Sequence, residues 1–372
     1  MTFFTGKYLA LAAKNLALSC TGALVLAACS AAPPAASAPE DGPPKTQTNL
    51  ADSFGKVIGL DPALVAVIDP AAPVEKLADG FWWSEGPAWD KARGQLYFSD
   101  VPQNKVYTWS AGQGLKTFLD PSGIDPAELT DSAAAQRGDL GVNGMVPARG
   151  GGLLLANHGR QSLERLDLET LVRETLSAEF KGRPYNSPND IIEARGGDIY
   201  FTDPPYGLKD QDNSKLPKQP VNGVYRLTPS GEVSLIDGAL SRPNGIALSP
   251  DEAFLYVSNS DAKAAIIMRY SALPDGGYGH GEIWHDAQAD LDSGLNGLPD
   301  GMTVAADGTV YATGPGGVLI LSPSGTLLGR IQIGLDPKGK ATANCTLGGP
   351  QGKTLFMTSH DTLARIRVKS GL

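Results

Sequence analysis

The stretch LPDGMTVAADGTVYATG, residues 298–314, holds two Asp-Gly pairs separated by a short apolar run. The second pair, in AADG, reads as a hairpin turn between two short strands. The first, Asp300-Gly301, stands ahead of the first strand, where no turn is required. Its role becomes legible only through the rest of the chain, in which the same arrangement recurs.

Six apolar strands open on a polar residue followed by a small or polar one: SEGPAW at Glu85, VNGMVP at Asn143, SPNDII at Asn189, RPNGIA at Asn244, LPDGMT at Asp300 and TANCTL at Asn344. The intervals run from 44 residues (Asp300 to Asn344) to 58 (Glu85 to Asn143), a blade-sized period. Each start leads through a turn into a second strand: QLYFSD, LLLANH, DIYFTD, FLYVSN, TVYATG and TLFMTS. Third strands (KVYTW, SLERLD, GVYRLT, IIMRYS, GVLILS, LARIRV) and fourth strands (LKTFLD, VRETL, EVSLID, GEIWHD, LLGRIQI) follow. The sixth repeat has no fourth strand, because the chain ends four residues after Val368. The segment VEKLADG, Val74 to Gly80, has the form of one and no repeat of its own. The expectation is an all-β, six-bladed β-propeller with four-stranded blades, its ring closed by that N-terminal strand.

Composition agrees. With 372 residues, 41% hydrophobic and 19% charged, the chain can bury a large core. Gly 45 and Pro 28 suit many short strands joined by tight turns, and no long amphipathic helical pattern follows residue 50. A net charge of -9 supplies no basic stripe for phosphates, which argues against a nucleic-acid partner.

In such a ring the first and second strands of a blade are antiparallel. The start of the first and the end of the second therefore share one rim. Glu85, Asn143, Asn189, Asn244, Asp300 and Asn344 should gather at one end of the central channel. Asp100, His158, Asp203, Asn259, residues 314–317 and His360 should join them from the second strands. Asp300 is thus expected to be a ring member, not a turn residue, although a lone Asn-Gly or Asp-Gly is ordinarily a turn. Carboxylates and carboxamides around a channel mouth, with neither thiolate nor imidazole in the first ring, suit Ca²⁺ better than zinc.

WSEGPAW, NSPNDII, IYFTDPPYGL, SRPNGIALSPDEAFLYVSNS and LPDGMTVAADGTVYATG together resemble the gluconolactonase and regucalcin-like family of six-bladed lactonases, over roughly residues 80 to 370. The resemblance implies a divalent metal held by Glu85, Asn189, Asn244 and Asp300, with Asp300 handling the proton and Asn189 also touching substrate. ANHGRQ and FTDPPYG resemble the bacterial branch, which makes His158, Arg160, Asp203 and Tyr206 substrate-side candidates beside Asn143; each could equally be a structural hydrogen-bonding residue. The implied activity is metal-dependent hydrolysis of a sugar lactone to the aldonic acid. An arylesterase or paraoxonase-like hydrolase and a non-catalytic Ca²⁺-stabilised binding propeller are the alternatives.

No GxSxG elbow points to a covalent route. GLDPKGKA, from Gly334, has Ala341 where a phosphate loop needs Ser or Thr and falls between strands, so it reads as a blade-to-blade loop.

Residues 1–28 read as a lipoprotein signal peptide: Lys7 and Lys14 precede the apolar NLALSCTGALVLAAC, and LAAC resembles a bacterial lipobox with Cys29 as the lipid-bearing residue. An ordinary cleaved secretory signal is the plainer alternative. Residues 29–50, Ala/Pro-rich, read as a tether, and residues 51–372 as the propeller. Ser30 after the cysteine points by resemblance to the outer membrane, so the expected membrane contact is through the lipid anchor alone. Cys20 would leave with the signal, and Cys345 would remain as a small apolar strand residue.

Overall fold

The computed structural model describes residues 53–334, 336 and 339–372. The export segment, the tether and Cys29 lie outside the described residues. Among the described residues six antiparallel blade sheets follow one another along the chain, with a two-stranded ribbon, Glu179–Phe180 and Arg183–Pro184, between the second and third. Blade 1 is Ser84–Asp90, Gln95–Asp100, Lys105–Ser110 and Gly114–Leu119; blade 2 is Val142–Pro147, Leu153–Asn157, Ser162–Leu166 and Arg173–Ser177. Blade 3 is Ile191–Glu193, Ile199–Asp203, Gly223–Leu227 and Val233–Asp237; blade 4 is Pro243–Leu248, Phe254–Asp261, Ala264–Ala272 and Tyr278–Asp286. Blade 5 is Met302–Val304, Val310–Gly314, Gly317–Leu321 and Leu327–Ile333; blade 6 is Asn344–Gly348, Thr354–Ser359 and Thr362–Arg367.

Glu75–Asp79 completes blade 6, antiparallel to its last strand, with Glu75 opposite Arg365 and Asp79 opposite Thr362. The ring closes as its sequence indicates. One strand was not foreseen: Gly55–Gly59 adds a fifth, outer strand to blade 5, with Gly55 opposite Ile333 and Gly59 opposite Gly329. It covers an edge that would otherwise stay open.

Burial follows position in the blade. The second strands Leu153–Asn157, Val310–Gly314 and Thr354–Ser359 are buried throughout, because neighbouring blades cover both faces. The outermost strand Gly114–Leu119 is mostly exposed. An apolar cluster fills each space between blades. Phe98 and Trp109 of blade 1 meet Phe356 and Leu363 of blade 6, and Leu154 and Leu163 of blade 2 meet Ile199 and Phe201 of blade 3. Each fully buried side chain of this kind stabilises the fold by about 1.5–3 kcal/mol, so stability is spread around the ring. Cys345 lies in a blade 6 strand, 2% exposed, in the cluster shared with blade 5.

Candidate active site

The first strands crowd the channel axis, and this accounts for the Asp-Gly and Asn-Gly pairs. A Cβ on Gly86 would sit 2.1 Å from the carbonyl oxygen of Asn143, and one on Gly245 would sit 2.2 Å from that of Asp300. Only glycine permits that approach. Blade 3 departs from the pattern with Asp190, whose Oδ1 accepts from Ile191 N at 2.9 Å and Oδ2 from Ile246 N at 3.2 Å.

Second-strand hydroxyls fix the ring backbone from the neighbouring blade. Ser99 Oγ donates to the Asn143 carbonyl (2.8 Å), Thr202 Oγ1 to that of Asn244 (2.7 Å) and Ser258 Oγ to that of Asp300 (2.8 Å). The next residue on three of those strands secures the turn entering its own blade. Asp100 accepts from Trp82 N and Trp83 N, Asp203 from Asn186 N and Ser187 N, and Asn259 Oδ1 from Arg242 N.

Glu85, Asn143, Asn189, Asn244 and Asp300 line one cavity of about 660 Å³ at the channel mouth, together with His158 and Tyr206. Asn344 does not line this cavity but one of about 280 Å³ that includes Asp190, while its side chain still reaches Glu85 as a hydrogen-bond partner. Its Oδ1 accepts from Cys345 N at 2.7 Å.

Two substrate-side expectations do not hold as lining residues. Asp203 is wholly buried and spends its carboxylate on the Asn186–Ser187 turn. The guanidinium of Arg160 turns away to pair with Glu128 at 2.7 Å, fastening the loop between blades 1 and 2. The second-strand register also shifts by one in blade 2: Asn157, opposite Val142, holds the place of Asp100, opposite Ser84. His158 therefore corresponds to Val101, and both line the cavity.

Two of the ring side chains, Glu85 and Asn244, have a defined support. Trp83 Nε1 donates to Glu85 Oε1 (3.1 Å) and Gly86 N to Oε2 (3.2 Å). Asn244 Nδ2 donates to Ser260 Oγ at 3.0 Å, and Ser260 in turn donates to the Pro299 carbonyl. Asp300 is half-buried, yet its Oδ1 is withdrawn from solvent with no hydrogen-bond partner. Both ring nitrogens of His158 are likewise buried and unpartnered.

Burial, opposed by the Trp83 hydrogen bond and reinforced by Asp190, pushes the Glu85 carboxyl up to about 7. Burial first, then the charges of Glu85 and Asp190, raises Asp300 well above the usual carboxylate range. Burial drives His158 down to about 3, so its imidazole is neutral at physiological pH, and it raises the Tyr206 phenol, which stays protonated.

Neither Lys nor Arg is among the residues lining this cavity. Two carboxyls that disfavour each other's ionisation, amide side chains and one orphaned oxygen make a donor set that fits a hard divalent cation. Among the described residues no three His, Cys, Asp or Glu side chains cluster as ligands, so amide oxygens would have to complete the set.

Sequence reasoning missed Trp82, Trp83, Asp139, Asp190 and Ser260. Asp190 carried a signal, since it stands where four of the other ring residues are followed by glycine. Asp139 lines the cavity from the loop between blades 1 and 2, and burial with the Asp100 charge raises its carboxyl to about 6. That loop is joined to the blade 3 loop by Gly138 N to the Gly207 carbonyl at 2.9 Å and Lys209 N to that of Gln136 at 3.1 Å.

Residues 83–361 match the family described as SMP-30/Gluconolactonase/LRE-like region. A gluconolactonase from Zymomonas mobilis is 39% identical over 319 residues, covering 86% of this chain and 87% of that protein. The solved structure of a gluconolactonase from Xanthomonas campestris superposes with a TM-score of 0.70 at 30% identity, over 84% of this chain and 94% of the other. A calcium-binding regucalcin from Agrobacterium tumefaciens shares the fold, with a TM-score of 0.61 at 19% identity over 80% and 95% of the two chains.

Proposed function

This chain belongs to the SMP-30/gluconolactonase/LRE-like family and is a lactonase, and from that premise we propose a metal-dependent hydrolysis of sugar lactones at the channel mouth. The observation that carries the site is the buried, unpartnered Oδ1 of Asp300 beside a second buried carboxyl, Glu85, in a cavity lined by no Lys or Arg. Glu85, Asn189, Asn244 and Asp300 would hold the ion, and their hard oxygens favour Ca²⁺. When bound, the ion supplies positive charge that stabilises the oxyanion developing on the lactone carbonyl.

The chain's own groups do the rest. Asp300 takes a proton from the water whose oxygen bonds to the carbonyl carbon and returns it to the ring oxygen as the ester C–O bond breaks. One water is consumed and a hydroxy acid leaves. With a cation bound, Glu85 and Asp300 would be drawn back to the ionised form that base chemistry requires. Asn143, neutral His158 and the protonated Tyr206 offer donors and acceptors to the substrate's hydroxyls. Trp83 and Ser260 hold Glu85 and Asn244 so that little reorganisation accompanies reaction.

A panel of aldonolactones and an aryl acetate, run against a buffer blank with and without chelator, tests this reading. Chelator-sensitive hydrolysis of the aldonolactones is expected. Full activity after exhaustive chelation would remove the metal, preference for the aryl ester would favour the arylesterase alternative, and inertness throughout would leave a binding propeller.

We also propose that the protein is exported and held at the cell envelope, at the outer membrane, by a lipid on Cys29. The support is the LAAC sequence and the Ala/Pro-rich segment after it. Cys29→Ser should release the protein from membranes or block its processing; unchanged fractionation and processing would refute the anchor.

A further inference from the structure

The wall of the mouth cavity divides into two arcs when its residues are placed in blade order. Asp139, Asn143, His158 and Tyr206 come from the region running from the blade 1–2 loop through blade 2 to the blade 3 loop, and they are polar. From blade 4 onward through blades 5 and 6 to the entry of blade 1, the wall is formed largely by Ala262, Leu291, Leu298, Ala341 and Trp82. Glu85, Asn244 with its partner Ser260, and Asp300 on the same side belong to the ring proposed to hold the ion. Outside that ring only Asn296 and Thr342 are polar among the lining side chains of this arc, and Asn296 commits its amide to the Gly339 carbonyl.

The apolar arc is built firmly. Trp82 is 65% exposed, but its backbone N–H donates to Asp100 at 2.9 Å, which fixes the indole's point of attachment at the rim. Leu291 sits on the short helix Gln288–Asp292, held by the ion pair of Asp290 with Arg330 and by Ala265 N donating to Gln288 Oε1 at 3.1 Å. The connection carrying Leu298 is pinned where Gly316 N donates to the Asn296 carbonyl at 2.7 Å.

A bare aldonolactone is polar on every edge and far smaller than the ligands that fill cavities of about 660 Å³. It would satisfy the polar arc and leave the leucines and the tryptophan in contact with water. Resting on the lactonase reading above, we propose that the preferred substrate is a lactone whose ring carries an apolar substituent. The substituent lies against Trp82, Leu291 and Leu298, the ester group faces Asp300, and ring hydroxyls, where present, face Asp139, His158 and Tyr206.

The test is a matched pair assayed on the purified protein with calcium present: δ-valerolactone, and δ-decalactone, which adds a pentyl chain at the ring carbon bearing the ring oxygen. Glucono-1,5-lactone serves as the control for the parent reading. The expected kcat/KM for δ-decalactone exceeds that for δ-valerolactone by about tenfold or more, since even one methylene in a fitted apolar site gives discrimination of that order. Leu291→Asn combined with Leu298→Asn should bring the ratio close to one. Trp82→Ala, at an exposed position where folding is not at stake, should lower it as well. A wild-type ratio at or below one, or a ratio that no variant moves, overturns the inference while hydrolysis of gluconolactone leaves the lactonase reading standing. Failure to hydrolyse any of the three overturns both.

Discussion

Ser258 Oγ donates to the main-chain carbonyl of Asp300 at 2.8 Å, so a blade 4 hydroxyl sets the position of the blade 5 carboxylate. Ser258→Ala leaves that buried carbonyl short of a donor and should cost about 1–3 kcal/mol. Turnover should fall further than global stability alone explains, with KM little changed, and Ser258→Thr should restore it. Urea unfolding alongside kcat measures both, and an alanine variant equal to wild type in each would show that the contact contributes nothing.

Asp300→Asn keeps an oxygen for the ion and loses the charge and the base. Metal affinity, read by calorimetric titration, should fall modestly, whereas lactone hydrolysis at saturating metal should fall by about 10² or more. Asn244→Asp is the contrast: it should tighten metal binding without a matching gain in rate. Recovery of most wild-type turnover by Asp300→Asn at saturating metal would reduce Asp300 to a ligand.

Asp203 is wholly buried, and burial outweighs its two backbone donors to raise its carboxyl to about 8. A carboxyl near 4 when unfolded and near 8 when folded binds its proton more tightly in the folded state. Its favourable contribution is full below about pH 4 and is lost as pH rises through 8. Asp203→Asn should therefore flatten the decline of stability between pH 5 and 8, whatever its effect on the absolute value. Parallel urea midpoints for the two proteins across that range would refute the assignment.

Removing residues 49–80 strips the outer strand from blade 5 and from blade 6 together, exposing two edges. Aggregated or unfolded protein is expected. A soluble truncated chain with an undiminished Tm would mean that neither strand is needed to hold the ring.

Much of this is readable in the sequence because a ring repeats its geometry. Asn244-Gly245 and Asp300-Gly301 recur at blade spacing, and their glycines answer to the same crowding at the axis. What broke the repeat was harder to read. ANH in blade 2 lacks the Ser/Thr-Asp/Asn pair of FSD, FTD and VSN, so matching strand ends places His158 one residue early. Asp203 and Arg160 have the residue types of a substrate site, but which way such a side chain turns depends on partners, Asn186, Ser187 and Glu128, that only the folded chain brings near. GKVIG is too short and too unlike any fourth strand to announce itself as the outer edge of blade 5. Trp82 carries no periodic signal, since it belongs to the turn ahead of a blade.

Arg365 donates to Glu75 across a sequence separation of 290. Glu75–Asp79 pairs with Thr362–Arg367, so the seam joins segments from opposite sides of the whole ring. The hairpins inside each blade are local and cheap to form, whereas this contact carries the largest loop-closure cost of any strand pairing in the fold. Cutting the chain anywhere between blades would leave blade 6 as the bolt that holds the two pieces together.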